Sequence, residues 1–311
     1  MPTLTPATLE ALTGLEVDLS HRAAIFDELP DLHYAPVDKA REQGLFAEIE
    51  GIIAERRFRV IGEEDDQRVW EQGWREVADK VRSARAVGIE TLKPQYFHPG
   101  VPFRFLGEYV VPQTAYFEYY AGIAVRRQLM LHFLPDSESL VELGCGTGIN
   151  LLLAADLFSN ASLAGSDWTR ATLDILAALG EAKGRAFVPV LYNMLDQSGR
   201  EDLPISSDTD VLTVHALEQL GAKASGVMDF LLAKRPRRCL HIEPILDFYD
   251  AADPFDDIAR RYHLARGYLQ GLRPKLRTLA ASGVIEILGE RRVKLGNQFH
   301  EAYSYVAWRP A

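Results

Sequence analysis

Sulfur-containing residues and basic charge are both scarce in this 311-residue sequence, which has two cysteines and four methionines. Cys145 and Cys239 are too few for the disulfide framework of a small secreted protein, so the sequence indicates a reducing, cytoplasmic setting. The sequence has 44 acidic residues but 34 Lys and Arg residues, which gives a net charge of −10. This balance argues against a general nucleic-acid-binding or anionic-membrane surface, since both require a basic face.

Long hydrophobic runs are also missing. No apolar run approaches the ~20 residues that a membrane-spanning helix needs, and the first residues carry no basic stretch followed by an apolar core. We therefore expect neither a membrane span nor a signal peptide. Hydrophobic residues make up 47% and charged residues 25% of the chain, and no repeat or low-complexity tract is visible. These values are typical of a globular protein, and the length predicts about two domains.

A glycine-rich segment at residues 140–151, LVELGCGTGINL, is the most informative part of the chain. An apolar run ends at Glu142, and Gly144, Gly146 and Gly148 then alternate with small residues before a helical pattern begins. Glycine permits positive φ and close approach to a ligand, and the helix start adds unpaired N–H groups. A dinucleotide-binding turn has the spacing G-x-G-x-x-G, with its third glycine one residue later. An NAD-dependent oxidoreductase is therefore disfavoured.

The E-x-G-x-G-x-G pattern resembles motif I of the class I S-adenosylmethionine-dependent methyltransferases. In that family the loop wraps the amino-acid end of the cofactor. The resemblance therefore implies S-adenosylmethionine as the cofactor, with Glu142, Gly144, Cys145 and Gly146 among the residues that bind it. We expect Cys145 to be a small residue in the turn without a catalytic role. The alternative is a tight strand-to-helix turn that binds no ligand.

The chain divides near residue 135 into a helical N-terminal substrate or lid region, 1–135, and a cofactor-binding core, 136–311, with a helical insertion around 245–282. Helices are predicted in the first part at 7–32, 38–57, 67–90 and 114–134, and residues 58–62 are either a short strand or a loop. In the second part, strands are predicted at 139–143, 161–166, 186–192, 209–214, 237–242, 284–288 and 302–308. Helices are predicted between them at 149–158, 169–183, 223–233 and 257–282.

This alternation predicts an α/β fold with a doubly wound, mostly parallel, seven-stranded sheet. The last two strands follow each other without an intervening helix, which favours an antiparallel pair at the C-terminus. The class I methyltransferase fold ends in the same way, so the fold-level pattern agrees with the resemblance.

Ligands of open α/β sheets bind beyond the carboxyl ends of the strands. Asp167 follows the second core strand, where an acid would accept hydrogen bonds from ribose hydroxyls, although it could also cap the next helix. Trp168 is placed to pack on the adenine ring or within the core. In the family, the residues after the third strand contact the adenine; Asn193 and Met194 match by position, with Asn where Asp is more usual.

Candidate catalytic residues follow the fourth and fifth core strands. The segment 214–220 resembles the family segment that faces the methyl donor. His215 is the first candidate base, because its unperturbed pKa lies near neutrality, and it is also a candidate cofactor contact that could simply pack beneath the cofactor. Glu218 is the second candidate base. Glu243 could orient a substrate hydroxyl or amine, or pair with an arginine.

We predict no metal site. An acidic run after the fifth core strand lacks the order of an EF-hand loop, and a solvated acidic face is the preferred interpretation. The run contains Asp247, Asp250, Asp253, Asp256 and Asp257.

Aromatic residues cluster between 103 and 120, just before the first core strand, which predicts a lid or pocket wall that excludes water from the cofactor cleft. Packing of the N-terminal region onto the core is the alternative. The candidate acceptor-binding residues are Arg104, Tyr109, Tyr116 and Tyr120, with His263 and Arg266 on the predicted helix 257–282.

The sequence thus predicts methyl transfer from S-adenosylmethionine to a small polar acceptor, such as a sugar or a hydroxy or amino natural product, by in-line displacement. The donor is already activated, so the enzyme mainly has to position the acceptor. An aromatic O-methyltransferase and a non-catalytic S-adenosylmethionine-binding regulatory subunit are the alternatives. The expected partner is the small-molecule acceptor, without nucleic acid or membrane, and the sequence leaves a homodimer open.

Overall fold

The N-terminal region combines helices with a small antiparallel sheet. The computed structural model describes residues 1–61 and 66–311. Within them, the helices of this region are α1 (Pro6–Thr13), α2 (Arg22–Phe26), α3 (Lys39–Ala54), α4 (Asp66–Ser83) and α5 (Phe117–Phe133). The strands are β1 (Tyr34–Pro36), β2 (Phe103–Phe105) and β3 (Glu108–Pro112), which pair antiparallel in the order β1-β3-β2.

The structure corrects the helices predicted near the N-terminus. The single helix predicted over 7–32 is wrong, because Gly14 adopts φ 70° and ends α1 there, and a 3-10 turn at Leu19–His21 leads into α2. Glycine is the residue that takes this left-handed conformation without steric cost. The helix expected over 67–90 ends earlier, at Ser83. Residues 58–61 form no strand, and Gly62 lies outside the described residues.

The C-terminal part contains the predicted α/β sheet. Its elements are β4 (Ser139–Leu143), α6 (Ile149–Leu157), β5 (Ser162–Asp167), α7 (Arg170–Lys183), β6 (Phe187–Leu191), β7 (Asp210–Val214), α8 (Ser225–Lys234), β8 (Arg238–Glu243), α9 (Pro254–Arg266), α10 (Leu272–Ala281), β9 (Ile285–Arg291) and β10 (Ser304–Pro310). The order of the seven strands is β6-β5-β4-β7-β8-β10-β9. The first five strands of this order run parallel, and β10 lies antiparallel to both β8 and β9. The predicted fold class is confirmed.

The helix predicted over 257–282 is two helices. Gly267 ends α9 with φ 71°, and Gly271 precedes α10 with φ 73°. The apolar spacing continues through both helices, so the hydrophobic pattern alone does not reveal the break.

One hydrophobic core joins the N-terminal region to the sheet. Helix α5 is buried along most of its length, and its Ile123 and Leu129 belong to the same core cluster as Leu9 of α1 and Leu151 of α6. The strands β4, β7 and β8 are buried on both faces, as expected for parallel strands covered by helices. Among the described residues, no helix combines the length and apolar character that a bilayer span requires.

Candidate functional site

The glycine loop after β4 lies close to the segment after β7. Gly144, Gly146 and Gly148 take φ angles of 72°, 49° and 73°. A Cβ atom built on Gly144 would lie 2.6 Å from the Cβ of Ala216. The backbone N–H groups of Gly144 and Cys145 donate to the carbonyl of Ser166, at 2.8 and 2.9 Å. The loop is therefore fixed to β5, and only glycine fits at its first position.

Asp167, at the end of β5, holds the loop and the start of the next helix together. Its Oδ1 accepts from Thr169 N at 2.9 Å and Thr169 Oγ1 at 2.8 Å, and its Oδ2 accepts from Gly146 N at 3.1 Å. Burial raises the pKa of this carboxyl, and these hydrogen bonds oppose the rise. Since a carboxylate offers about four acceptor positions, one remains on Oδ2 for a ligand hydroxyl. Capping and ligand binding are thus compatible.

A small cavity of about 90 Å³ adjoins the glycine loop. The side chain of Asn193 stabilises its own turn, because its Oδ1 accepts a hydrogen bond from Leu195 N at 2.9 Å. The predicted cofactor contacts that line this cavity are Gly144, Gly146, Asp167, Trp168, Asn193, Met194 and His215. The strand ends therefore bring together most of the residues that the sequence singled out for the cofactor.

Glu142 lies behind the loop and does not line either cavity. Its side chain is fully buried, and Oε1 accepts from Asn150 Nδ2 at 2.6 Å. Burial raises its pKa to about 8, although Asn150 and Arg126 oppose the rise. Its Oε2 has no hydrogen-bond partner among the described residues. The acid of the motif therefore acts on the site through Asn150.

A larger cavity of about 510 Å³ opens on the other side of the glycine loop. Cys145 lines it, and its aromatic wall comprises Tyr96, Phe97, Phe103, Tyr116, Phe117, Tyr262, Tyr268, Phe299 and Tyr303. Its polar wall includes Glu118, Arg126, Glu218, Arg266, Asn297 and His300. Both cavities are lined by Trp70, Trp74, Gly144, Gly146, His215 and Gln219. The two cavities are therefore adjacent halves of one cleft.

His215 and Glu218 both face this cleft, and their pKa values are shifted in opposite directions. His215 has φ 54°, and burial lowers its pKa to about 3, so its imidazole is neutral at pH 7. Burial and the nearby Glu243 raise the pKa of Glu218 to about 8. Glu218 Oε1 accepts from Gln219 Nε2 at 2.8 Å, and its Oε2 has no hydrogen-bond partner among the described residues. Glu218 is the stronger base of the two once ionised.

Glu243 does not line either cavity. Its Oε1 accepts from the N–H groups of Ala216 and Leu217, at 3.2 and 3.1 Å, and its Oε2 accepts from that of Glu218, at 3.2 Å. Burial raises its pKa to about 7. The sequence-based interpretation of Glu243 as a substrate-orienting or arginine-pairing group is thus replaced by a positioning role, in which it fixes the turn that carries His215 and Glu218.

Two of the six predicted acceptor-binding residues line the larger cavity. Tyr116 has Lys93 Nζ 3.5 Å from its ring centroid. Arg266 donates from Nη2 to the hydroxyl of Tyr268 at 2.8 Å. These two side chains remain candidates for acceptor contact.

The other four, Arg104, Tyr109, Tyr120 and His263, line neither cavity. Arg104 is fully buried and donates to the Phe255 carbonyl at 2.8 Å, and the Tyr109 hydroxyl donates to the Gln298 carbonyl at 2.9 Å. Tyr120 hydrogen-bonds to Glu90, and His263 Nε2 lies 2.6 Å from the Leu269 carbonyl. These contacts are packing contacts, so the alternative of inter-region packing describes them better than acceptor binding.

The acidic run is only partly a solvated face. Asp253 caps α9 by accepting from Phe255 N at 3.0 Å. Asp256 is buried and accepts from Arg292 Nη1 at 2.6 Å. Among residues 1–61 and 66–311, no group of three or more His, Cys, Asp or Glu side chains is arranged to hold a metal ion.

Helix α4 forms a wall of the cleft that the sequence did not predict. Its Trp70 and Trp74 stack with ring centroids 5.1 Å apart and line both cavities. Glu71 of α4 accepts from Arg170 N at 2.8 Å and Ala171 N at 3.2 Å, which are the first residues of α7. The regular apolar spacing of α4 was the available signal, but such spacing also describes a helix that faces the core.

No family model and no curated protein matches the chain. Among solved structures, the [4+2]-cyclase SpnF aligns over 81% of this chain and 99% of its own, with 13% identity and a TM-score of 0.51. The mitomycin 7-O-methyltransferase MmcR aligns over 78% of this chain and 68% of its own, with 13% identity and a TM-score of 0.42. The pyocyanin biosynthetic protein PhzM aligns over 63% and 58%, with 17% identity and a TM-score of 0.44.

Identities this low bear on the fold alone, and of these three structures SpnF has a TM-score above 0.5. In this chain the antiparallel β10 lies between β8 and β9, in line with the C-terminal antiparallel pair that the sequence predicts. The chain therefore has an α/β fold with a seven-stranded, mostly parallel sheet, and this fold is similar to that of the cyclase SpnF over 81% of the chain.

Proposed function

We propose that this chain binds S-adenosylmethionine and transfers its methyl group to a small-molecule acceptor. The observation that carries the proposal is the cleft at the carboxyl edge of the sheet. One half of it is lined by the glycine loop, Asp167 and Asn193, and the other half by aromatic rings and Glu218. The fold alone does not decide the reaction, because SpnF has a similar fold and is named a [4+2]-cyclase.

The residues of the smaller cavity fit the cofactor. The absence of a Cβ at Gly144 lets a ligand approach the backbone, and Asp167 keeps one acceptor position for a ribose hydroxyl. Trp168, Asn193 and Met194 would surround the adenine. The cofactor supplies an electrophilic methyl group when bound.

The residues of the larger cavity would orient the acceptor and remove its proton. The Oε2 atom of Glu218 has a free acceptor position in the described part of the chain, so it can take the proton of an acceptor hydroxyl or amine. His215 is neutral at pH 7 and can donate or accept a hydrogen bond without adding charge beside a cationic donor. The aromatic walls exclude water, which would otherwise solvate the nucleophile.

The acceptor we propose is a hydroxylated or aminated natural product with a ring-containing body. A cavity of about 510 Å³ suits a small molecule, and eleven of its 33 lining residues are Phe, Tyr or Trp. These eleven aromatic side chains favour the aromatic O-methyltransferase alternative over a free sugar. The polar patch of Arg266, Asn297 and His300 favours an acceptor that also carries polar groups.

The binding test is calorimetry with S-adenosylhomocysteine and with NAD. We expect the first to bind and the second not to bind. Asp167→Ala should weaken the binding of S-adenosylhomocysteine by ~1–3 kcal/mol, because the variant leaves ligand and backbone donors unpaired. Asp208→Ala, which alters an exposed carboxyl that lines neither cavity, is the control. Binding of NAD alone would contradict the proposal.

The activity test follows methyl transfer by mass spectrometry. The protein is incubated with S-adenosylmethionine and with hydroxylated aromatics, aromatic amines and sugars. Methylated product from the ring-containing acceptors is expected. Cofactor binding without any methylated product would favour the non-catalytic regulatory subunit instead.

A further inference from the structure

One wall of the larger cavity presents hydrogen-bond donors that have no acceptor in the described part of the protein. It is formed by Arg266, the last residue of α9, by Tyr268 just after that helix, and by two residues of the segment between β9 and β10, Asn297 and His300. We call these four residues the donor wall. All four line the cavity, so a molecule bound there can reach them.

Arg266 supplies the positive charge of the donor wall. Its Nη2 donates to the Tyr268 hydroxyl at 2.8 Å, and its Nε is buried without a hydrogen-bond partner. Its Nη1 makes no hydrogen bond to a described residue, and no described carboxylate lies within ion-pair distance of its guanidinium. A charge that is removed from water is costly unless it is paired and hydrogen-bonded. The guanidinium therefore lacks a counter-charge on this side of the cavity.

The two acids that line the cavity, Glu118 and Glu218, do not supply that charge at neutral pH. Glu218 lies close enough to Arg266 for their charges to interact, but not within ion-pair distance. Burial and the nearby Glu243 raise the pKa of Glu218 to about 8, and burial raises that of Glu118 to about 8. Both carboxyls are therefore mainly protonated at pH 7, and Arg266 is left without an anion among the described residues.

Asn297 and His300 add neutral donors to the wall. Asn297 Oδ1 accepts from Phe299 N at 2.8 Å and from His300 N at 3.1 Å, so the amino group of this amide is the end that remains free. Burial and the charges of neighbouring groups, His263 first among them, hold the pKa of His300 well below 6.5, so the ring is neutral. Its Nδ1 is buried without a partner. A proton on Nε2 therefore leaves no buried N–H group unpaired and makes Nε2 a donor.

Tyr268 joins these donors into one surface. Its hydroxyl accepts from Arg266, which leaves its own proton to be donated, since burial raises the pKa of this phenol and keeps it protonated. Its ring stacks on that of His300, with centroids 5.3 Å apart. The stacking fixes the arginine end of the wall relative to the histidine end.

We propose that the donor wall binds a carboxylate of the acceptor, so that the acceptor is a hydroxylated or aminated aromatic acid. The inference rests on the proposed function. A carboxylate has about four acceptor positions and no donor, which matches a wall that offers donors. One guanidinium balances the single charge of a carboxylate, whereas a phosphate monoester carries a charge of about −1.5 to −2 at pH 7.

The carboxylate would also orient the acceptor for the reaction. The donor wall and Glu218 line the same cavity, so a ring-containing molecule can contact both. Holding one end of the acceptor at Arg266 limits the positions that its hydroxyl or amine can take, and positioning is the main task of the enzyme when the donor is already activated. The donor wall would thus determine which acceptors are methylated, and Glu218 would accept the proton.

The test compares aromatic acids with their neutral amides: salicylate with salicylamide, gallate with gallamide, caffeate with caffeamide and anthranilate with anthranilamide. Each amide keeps the ring and its hydroxyl or amino groups but loses the charge. Dissociation constants are measured by calorimetry on protein loaded with S-adenosylhomocysteine, and methyl transfer to each compound is followed with S-adenosylmethionine. The proteins are the wild type, Arg266→Gln, Arg266→Lys and Arg261→Gln, and thermal unfolding checks that each variant is folded.

Arg261→Gln is the matched control. Arg261 belongs to the same helix as Arg266, lines neither cavity and pairs with Asp257 and Glu50. This variant therefore removes a positive charge from α9 without changing the donor wall.

We expect the wild type to bind at least one acid roughly 10- to 100-fold more tightly than its amide, the effect of a hydrogen bond to a charged group. Arg266→Gln should remove this preference and leave the affinity for the amide unchanged. Arg266→Lys keeps the charge and should retain part of the preference. Arg261→Gln should retain all of it. Equal losses for acid and amide in Arg266→Gln would assign the residue a merely structural role and overturn the inference.

Three other results would also overturn it: the loaded wild type binds none of the acids, it binds each acid no more tightly than the amide, or the preference survives in Arg266→Gln. If the protein does not bind S-adenosylhomocysteine, the proposed function itself fails. A protein that binds S-adenosylhomocysteine and methylates acids and amides equally well contradicts the carboxylate inference alone.

Discussion

Four glutamates near the cleft carry raised pKa values because they are removed from water, but their partners differ. Glu243 accepts from three backbone N–H groups, and Glu142 accepts from Asn150. Glu118 has its pKa raised by burial alone. Glu218 combines a raised pKa, a place in the cavity wall and an oxygen without a partner among the described residues. Glu118 also lines this cavity, so Glu118 and Glu218 are both placed to take a proton from an acceptor, and Glu218 is the one that the sequence predicted as a base.

The first prediction concerns Glu218→Gln. A carboxyl whose pKa is raised to about 8 accepts a proton only after it ionises. The kcat/KM of methyl transfer in the wild type should therefore increase as the pH rises through about 8. The Gln variant cannot ionise, so it should lose this pH dependence together with roughly 10²–10⁴ of the rate. The measurement is kcat/KM between pH 6 and 10 with the acceptor found above.

Two controls accompany this profile. Calorimetry should show nearly unchanged affinity of Glu218→Gln for S-adenosylhomocysteine. His215→Asn should keep the rise near pH 8, because burial keeps the imidazole neutral throughout this range. If the rise near pH 8 survives in Glu218→Gln, another group accepts the proton.

At the scale of elements, α4 forms one wall of the cleft and is fixed to α7 and the residues before it by hydrogen bonds and an ion pair. Glu71 accepts from the first N–H groups of α7, Gln67 donates to the Trp168 carbonyl at 2.7 Å, and Arg75 forms an ion pair with Asp174. The two exposed ion-pair partners contribute little by themselves. The carboxylate of Glu71 accepts hydrogen bonds at the N-terminus of α7, and this contact should stabilise the pair of helices more than the ion pair does.

We therefore expect Glu71→Ala to destabilise the protein by ~1 kcal/mol, the usual effect of losing a helix cap, and to weaken the binding of S-adenosylhomocysteine. Binding can be followed by tryptophan fluorescence, because three of the four tryptophans, Trp70, Trp74 and Trp168, line the cleft. Trp308 is fully buried and bonds to His241.

Asp79→Ala is the matched control for this prediction. It removes an acid of the same helix that is mainly exposed and whose one ion pair among the described residues is with Arg82, at 3.5 Å. If the two variants bind S-adenosylhomocysteine equally well, α4 does not contribute to the site.

Elements with strong local signals could be predicted from the sequence, whereas their partners could not. The strand predicted over 139–143 coincides with β4, because an apolar run followed by glycines marks both ends. Arg104 and Tyr109 gave no comparable signal. Their contacts are Phe255 and Gln298, more than a hundred residues along the chain, so an aromatic cluster looks the same whether it lines a cavity or packs a hairpin onto α9.

The same ambiguity explains why the sequence did not predict α4 as a wall of the cleft. Trp70 and Trp74 lie four residues apart on one face of α4, and their spacing predicts a buried face without saying what covers it. The turn between β2 and β3 had a local signal in Gly107, which takes φ 93°. The aromatic residues around it predicted a lid or pocket wall, and Phe103, Tyr116 and Phe117 of this segment line the larger cavity.

At the scale of the whole molecule, the buried titratable groups form two sets whose pKa values shift in opposite directions. Burial lowers the pKa of His241 to about 4 and that of His263 to about 4, below the ordinary 6.5. His241 is held neutral by Trp308 Nε1, which donates to its Nε2 at 2.9 Å. The buried glutamates shift the other way, with Glu142 at about 8 against an ordinary 4.5. Each set makes the stability of the fold depend on pH.

The signs of the two effects define the last prediction. Below pH 6.5 the unfolded state binds more protons at these histidines than the folded state, so the free energy of unfolding falls as the pH falls. Above pH 4.5 the folded state binds more protons at the glutamates, so the free energy of unfolding falls as the pH rises towards about 8. Between pH 4.5 and 6.5 the two slopes oppose each other, and above pH 6.5 only the glutamate slope remains.

Unfolding by heat or urea should therefore show the greatest stability between pH 4.5 and 6.5 and a steady loss of stability up to pH 8. Glu142→Gln removes one titrating carboxyl, keeps an acceptor for Asn150 and should reduce that loss by at most about 1.4 kcal/mol per pH unit. A stability that is unchanged or rises from pH 6.5 to 8 would show that these carboxyls do not carry the raised pKa values.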